Sequence, residues 1–399
     1  MSFIDLIRER AERPVLAPTV KRRERKERSV RDVVAVLRSN LDINIYSQSR
    51  LKNIILAGLA GRLNVLIVSP PGEAKTLAVD TLAASIPVKY YSRLLTADTT
   101  SFDVIGYPVT RETMSTNEKR IEVDIDPSTG AFDAKIVLFD EVFKPPGTVL
   151  VYLYDLLAKR MISFKSKHIP AKTWVVYGLS NPGEVEEKVE AGDPSFLPLL
   201  DRFDVRVWLS RTPVHEYEAI LDTVYRRKTD PSKVAVLEKV TEDEVVALQR
   251  HVDELIKRNY RYYRALVVTV AEAAVDAGFD VSPRQAVNLV RLVASLDAVG
   301  VTGKAVKVSY IVSSLASTPT EVSVIGEKVA KKLNLDAYME IERAIEEVEK
   351  SISQKNFGIA LDMIEKAKAL ASGLEPEEGL FHKWRQAEPL SILALMIPR

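Results

Sequence analysis

Short unbroken apolar runs punctuate the first half of the chain: Val65 to Val68, Ile136 to Phe139, Trp174 to Leu179 and Val205 to Leu209. Runs of that length without alternation suit strands covered on both faces, as in a parallel sheet. Between them, Leu77 to Ile86 and Val149 to Ala158 carry apolar residues at helical spacing. Strand and helix in alternation predict an α/β sandwich up to about residue 210, and the weaker alternation of Lys159 to Ile169 predicts a hairpin within it.

After Arg211-Thr212-Pro213 the strand pattern stops, and amphipathic segments follow over 214–227, 242–257, 260–277, 283–297 and 303–315. They predict an all-helical second domain. Beyond Ser317-Thr318-Pro319, Ile341, Ile345, Val348 and Ile352 are spaced 4, 3 and 4, and Ala360, Met363, Ala367 and Leu370 are spaced 3, 4 and 3. These two stripes predict a helical hairpin, too small to bury much area alone and so expected to dock on the body or on a partner. The closing LSILALMIP adds apolar surface that also calls for packing. The predicted organisation is an arm over 1–29, an αβα domain over 30–210, a helical domain over 211–316 and a helical extension over 317–399.

The 399 residues carry 56 Lys plus Arg against 55 Asp plus Glu, a net charge of +1, and are 46% hydrophobic. So even a balance excludes a polycation built to coat nucleic acid, and the apolar content suits a folded chain with a sizeable core. One basic run stands out, KRRERKER at 21–28. It reads as a solvated arm, with nucleic acid, an acidic partner or a neighbouring subunit as alternative contacts. No apolar run approaches the roughly 20 residues of a bilayer span and MSFIDLIRER lacks a secretory core, so no membrane span and a cytoplasmic location are expected.

The chain has no cysteine, and His168, His215, His251 and His382 lie far apart. Disulfides, thiolate nucleophiles and cysteine-based zinc sites are therefore excluded, and a protein-ligated transition metal is not expected. Gly178-Leu179-Ser180-Asn181-Pro182 lacks the closing glycine of a nucleophile elbow, which removes that hydrolase class.

The remaining candidate chemistry clusters at the ends of the predicted strands. After Val68 comes Ser69-Pro70-Pro71-Gly72-Glu73-Ala74-Lys75-Thr76, followed by the helix starting at Leu77. A strand, a compact loop and a helix N-terminus focus backbone N–H groups on one point, where phosphate can bind. Lys75 would neutralise the β- and γ-phosphates and Thr76 would ligate Mg²⁺, although Ser69 and Ala74 stand where such a loop usually has glycine, and a plain Pro-Pro-Gly turn is the alternative. Ile136 to Phe139 end in Asp140-Glu141, adjacent carboxylates that need a cation: Asp140 for Mg²⁺ and Glu141 to polarise the attacking water, against the alternative of an exposed turn. Asn181, after the strand 174–179, could orient water beside the γ-phosphate or simply form an Asn-Pro turn. Arg202, in LLDRFD, could act as an arginine finger in an adjacent subunit or pair locally with Asp201 or Asp204. In SPRQAV, Ser282 suits an N-cap and Pro283 the first helical position, so Arg284 sits where the helix dipole disfavours a cation unless an anion, such as a γ-phosphate, is near, with an ordinary solvated arginine as the alternative.

In this order SPPGEAKT, IVLFDEVFKPP, LSNP, LLDRF and SPRQAV resemble an AAA+ ATPase of the MoxR group, close to its RavA branch. The resemblance implies a P-loop AAA+ αβα sandwich with a parallel sheet, then an all-helical lid and, in this chain, the C-terminal helical hairpin. It implies ATP and Mg²⁺, held by the loop residues Pro71, Gly72, Glu73, Ala74, Lys75, Thr76 and Leu77 together with Asp140, by Ile45 and Tyr46 on the adenine side, and by Arg284 from the lid of the same subunit. It also implies an insert around Asp103 to Asp126, a hairpin at 159–169 made basic by Arg160, Lys165 and Lys167, and a ring, usually a hexamer. MoxR proteins are regarded as chaperone-like remodellers of protein clients, often with a von Willebrand factor A domain cofactor. A nucleic-acid motor and a nucleotide-gated scaffold with little turnover are the rival expectations, the first disfavoured because aromatic residues rarely interleave with the basic runs.

Overall fold

The computed structural model describes residues 28–115, 118–164, 167–192, 195–225, 234–333, 344, 347–348, 351 and 357–372. Helices α1 (Val30–Asn44) and α2 (Ser49–Gly61) precede β1 (Val65–Val68) and α3 (Lys75–Ala84). Next come β2 (Tyr90–Leu94), the one-turn α4 (Phe102–Ile105), an antiparallel ribbon of β3 (Pro108–Ser115) and β4 (Glu118–Ile125), and β5 (Ile136–Asp140). Helix α5 (Gly147–Lys159), a second ribbon of β6 (Met161–Phe164) and β7 (Lys167–Pro170), β8 (Val175–Ser180), α6 (Pro182–Glu190), α7 (Phe196–Leu200) and β9 (Val205–Trp208) follow. The rest of the described chain is helical: α8 (Tyr217–Tyr225), α9 (Glu242–Asp276), α10 (Pro283–Ala298), α11 (Lys304–Leu315), α12 (Pro319–Leu333) and α13 (Phe357–Ser372).

Five strands form one parallel sheet in the order β2-β5-β8-β1-β9. Strand periodicity divides its residues between two cores. Val65, Ile67, Ile136, Leu138, Val175 and Tyr177 face α1–α3 and the helices α9–α12, whereas Leu66, Val68, Val137, Phe139 and Val176 face α4–α7. The Tyr177 hydroxyl, buried among apolar residues, donates to the Ile55 carbonyl at 2.6 Å. Gly178 admits Phe203 against the sheet, since a Cβ there would lie 2.6 Å from the Phe203 ring. Helix α11 covers the open edge of β9: Ser313 Oγ accepts from the Trp208 N–H at 3.0 Å and Ser314 Oγ donates to the Arg206 carbonyl at 3.3 Å, satisfying groups that an exposed edge would present to another chain.

The two helices expected over 242–257 and 260–277 are one, α9, kinked at Asn259 where φ is −112° and ψ is 20°. Edge strand β2 escaped the periodicity because YYSRL is half-buried to exposed and carries no apolar run. Helix α12 escaped it because only Ile325 and Val329 are buried. In α13 the buried residues are Ala360, Ile364 and Ala367 rather than the expected Met363 position. The arm up to residue 27, Lys165, Ile341, Ile345, Ile352 and LSILALMIP lie outside the described residues.

Candidate functional site

The loop between β1 and α3 turns on two left-handed residues, Gly72 at φ 87° and Ala74 at φ 57°. A Cβ at Gly72 would meet nothing within 4 Å, so that backbone borders open space where a phosphate can approach. Lys75 is buried, and its Nζ donates to Ser69 O at 2.6 Å, Ser180 O at 3.0 Å and Asn181 Oδ1 at 3.1 Å. Burial lowers its pKa, opposed by the charges of Asp140, Glu141, Glu73 and Glu184. Ser69 is fully buried and its hydroxyl donates within the loop, to Pro70 O at 3.1 Å.

The parallel sheet brings the C-terminal ends of β1, β5 and β8 side by side, and with them the acids and the amide. Thr76 Oγ1 donates to Asp140 Oδ2 at 3.0 Å, the Glu141 N–H donates to Asp140 Oδ1 at 3.0 Å, and Asn181 Nδ2 donates to Glu141 Oε1 at 3.1 Å. Glu141 itself has φ 56°, a strained conformation for a residue with a Cβ and one that functional sites collect. Thr76 and Asp140 present two hard oxygens 3.0 Å apart beside the phosphate loop. That donor set fits Mg²⁺, which takes one or two protein oxygens and completes its shell with phosphate and water.

Beside the loop lies a cavity of about 130 Å³, walled by Ile45 and Tyr46, by Gly72, Ala74 and Leu77, and by Ile220 and Val224 of α8. Its apolar walls suit a flat heterocycle, and Ile45, Tyr46, Gly72, Ala74 and Leu77 were all expected on sequence grounds. Glu73 also lines it, with its carboxylate turned into the wall, where it accepts from Gln48 Nε2 at 2.7 Å, Thr212 Oγ1 at 2.5 Å and the Thr212 N–H at 3.1 Å. Pro71 is exposed at the loop tip. Sequence reasoning did not bring Thr212 or the helix expected over 214–227 to this site; the break at Arg211-Thr212-Pro213, directly after the last strand, was the available signal.

The two arginines lie elsewhere. Asp204 Oδ2 accepts from the Asn64 N–H at 2.7 Å, which fixes it at the N-terminal end of β1, whereas the phosphate loop starts at the other end, roughly 15 Å away at about 3.3 Å per residue. Asn288 of α10 donates to Asp204 Oδ1 at 2.6 Å, and Arg284 is among the cations acting on that carboxylate. Arg202, Ser282 and Gln285 line a common cavity of about 460 Å³ with Arg206 and Asp201. The expectation that Arg284 reaches the phosphate loop of its own chain is therefore corrected: the capping box of Ser282 and Gln285 forms, but packing of α10 against the 201–204 loop makes Asp204 the nearby anion. The alternative for Arg202, a local pair with Asp201 or Asp204, does not form among the described residues, since Asp201 pairs with Arg206 at 3.1 Å and Asp204 bonds Asn64 and Asn288.

Arg160 is a second correction. It precedes β6 with φ 51° and is half-buried at the same junction, its Nη1 shut off from solvent, where desolvation lowers its pKa to about 10 against the opposing pull of Asp204. It therefore does not make the hairpin face basic. Among the described residues no helix is long and apolar enough to cross a membrane.

Residues 29–250 match the model of a protein family described as the MoxR domain in the MoxR-vWA-beta-propeller ternary systems. The chain is 29% identical over 143 residues to Chaperone MoxR1 of Mycobacterium tuberculosis, an alignment covering 36% of each protein. It is 25% identical over 166 residues to an uncharacterized protein of Methanocaldococcus jannaschii, covering 41% of this chain and 40% of that one. These alignments span well under half the length of either curated relative. The crystal structure of a candidate ATPase from Cytophaga hutchinsonii superposes with a TM-score of 0.51 at 17% identity, covering 75% of this chain and 86% of that one, a likeness of fold.

Proposed function

Because this chain belongs to the MoxR domain family, we propose that it hydrolyses ATP in a closed ring of identical subunits and uses the cycle to remodel or activate a partner protein. The observation that carries the reading is the hydrogen-bonded set of Lys75, Thr76, Asp140, Glu141 and Asn181 at the C-terminal end of the sheet. The backbone N–H groups of Gly72, Glu73 and Ala74 and the Lys75 ammonium hold the phosphates, and the 45–46 wall and α8 hold the base. Thr76 and Asp140 would hold Mg²⁺, which when bound neutralises phosphate charge. Glu141 takes the proton of the attacking water, and Asn181 fixes both that carboxylate and Lys75.

Arg202 and Arg284 face away from this set, so in our reading both serve the nucleotide of an adjacent copy, which makes a lone chain an incomplete enzyme. A hexamer is the ring size the resemblance favours. A von Willebrand factor A domain protein is the proposed cofactor, since the matched family is described from systems that contain one. The RavA-like placement within the family rests on the motif set alone and is part of the proposal, as is a cytoplasmic location.

The test is phosphate release from Mg·ATP. Wild type should turn over, Glu141→Gln should bind ATP with its rate lowered on the order of 10²-fold or more, as for loss of a general base, and Lys75→Ala should lose binding as well. Turnover unchanged in Glu141→Gln would overturn the assignment. Strong stimulation by DNA would favour a nucleic-acid motor instead, against which the half-buried setting of Arg160 already weighs.

A further inference from the structure

Helix α9 buries one face, through Leu248, Val252, Leu266, Val270 and Ala273 among others, and turns the other to solvent. On that outer face Arg250, Lys257, Arg261, Arg264, Val268 and Val275 are spaced 7, 4, 3, 4 and 7, one stripe at the helical period. All six are exposed, on both sides of the kink at Asn259, and Arg258 lies exposed beside them. The cations run for about 21 Å from Arg250 to Arg264 at 1.5 Å per residue, and the two valines follow.

Charge along this helix is unevenly compensated. Asp253 is held by Arg62 at 2.6 Å and Arg291 at 2.8 Å, and Glu272 and Asp276 share Lys332 at 3.2 Å each. Within the exposed stretch 250–268 that leaves Glu254, 4.0 Å from His251, as the one carboxylate against Arg250, Lys257, Arg258, Arg261 and Arg264. Among the described residues none of these five cations forms an ion pair or a side-chain hydrogen bond. Like charges three and four positions apart, such as Lys257 with Arg261 and Arg261 with Arg264, repel. The helix therefore forms in spite of the stripe, in a chain whose net charge is only +1.

The side chains also select the kind of partner. Four of the five cations are arginines, whose planar guanidinium meets a carboxylate or phosphate in two-point contact. The run KRNYRYYR at 257–264 interleaves tyrosines with cations, as a single-strand site would. Tyr263 is buried, however, and Tyr262 is half-buried with the Lys307 ammonium 5.8 Å from its ring centre. Only Tyr260 is exposed, with the Arg264 guanidinium 6.0 Å from its ring centre, and one ring makes no stacking platform. The stripe then continues into Val268 and Val275, which offer nothing to a phosphate backbone and suit the apolar side chains of a protein.

We propose that the outer face of α9 docks an acidic segment of a partner protein, its carboxylates along Arg250 to Arg264 and its apolar side chains on Val268 and Val275. A partner helix with both groups on one side matches the spacing of the stripe. No residue of this face belongs to the cavity beside the phosphate loop or to the Lys75-to-Asn181 set, so the inference stands apart from the ATPase reading.

The test is fluorescence anisotropy on the full chain with three labelled probes. The first is a helical peptide with glutamates on one face of its first half and leucines on the same face of its second; the others are its glutamine counterpart and oligo-dT of matching charge. The glutamate peptide should bind, more weakly as salt is raised, and the glutamine peptide should not. Arg261→Glu/Arg264→Glu should weaken that binding on the order of tenfold and melt as wild type does, both positions being exposed. Arg31→Glu/Lys328→Glu, the same change of charge at exposed positions of α1 and α12, should leave the Kd within about twofold. Val268→Asp should weaken binding as well. Tighter binding of oligo-dT than of the peptide, lost in Arg261→Glu/Arg264→Glu, would make the stripe a nucleic-acid site and overturn the proposal. So would equal losses in the two double variants, a Kd unmoved by Val268→Asp, or no salt-sensitive binding of the glutamate peptide.

Discussion

Replacing Glu73 tests whether the cavity beside the phosphate loop binds the nucleotide base. The Glu73 carboxylate accepts three hydrogen bonds, from Gln48 Nε2 at 2.7 Å, Thr212 Oγ1 at 2.5 Å and the Thr212 N–H at 3.1 Å, and the residue is 8% exposed. It thereby ties the phosphate loop to both walls of the cavity, the 44–48 segment and the Thr212 turn that leads into α8. At about 1 kcal/mol net for each bond, Glu73→Ala should destabilise the fold by ~3 kcal/mol, or roughly 5 °C in melting temperature for a chain of this size. About half of that total reappears as the work of ordering the walls around ATP, and ~1.4 kcal/mol is a tenfold weaker Kd. Titration with a fluorescent ATP analogue alongside thermal unfolding reads both quantities. Glu73→Gln keeps the volume and one acceptor and should fall between wild type and Ala. A melting temperature lowered as expected with ATP affinity within about twofold of wild type would refute the reasoning, because the tie would then be structural and the base would bind elsewhere.

Asp204→Ala leaves the half-buried Arg160 guanidinium without its counter-charge and should lower stability by ~3 kcal/mol in urea unfolding, with Arg160→Met in the same chain restoring most of it. Asn40→Ala removes the bonds from its Nδ2 to Ser85 Oγ and Glu238 O and to its Oδ1 from the Leu237 N–H. It should cost ~2–3 kcal/mol by the same assay, since buried partners are left unpaired. Ser69→Gly should change kcat by less than about threefold, because its hydroxyl is turned back to Pro70 O and deleting such an internally satisfied group is worth under ~1 kcal/mol; a larger gain would support the scaffold with little turnover.

The central strands were legible because both of their faces are buried, which leaves unbroken apolar runs such as Val65–Val68. Strand β2, at the sheet edge, has only one side packed and so looked like loop. Lys75, Thr76, Asp140, Glu141 and Asn181 were legible for a related reason: each follows a recognisable strand, and parallel topology puts the ends of β1, β5 and β8 together. The setting of Arg284 was not legible. Its cap can be read locally, but which end of the sheet α10 faces depends on long-range packing against Asp204. Arg160 was expected among the cations that make the 159–169 hairpin basic, and only the fold shows its guanidinium half-buried beside Asp204.

If the hydrolytic site is completed by a second copy, two inactive proteins should restore each other when mixed. Arg202→Ala keeps the Lys75-to-Asn181 set intact, and Glu141→Gln keeps the arginine face intact. Each alone should release almost no phosphate. Mixed in equal amounts, they should recover on the order of a quarter of the wild-type rate per site, since about one interface in four then joins an intact pocket to an intact Arg202 in a head-to-tail ring. No recovery, with mixed assemblies shown to form, would mean that each site works without Arg202 of a second copy.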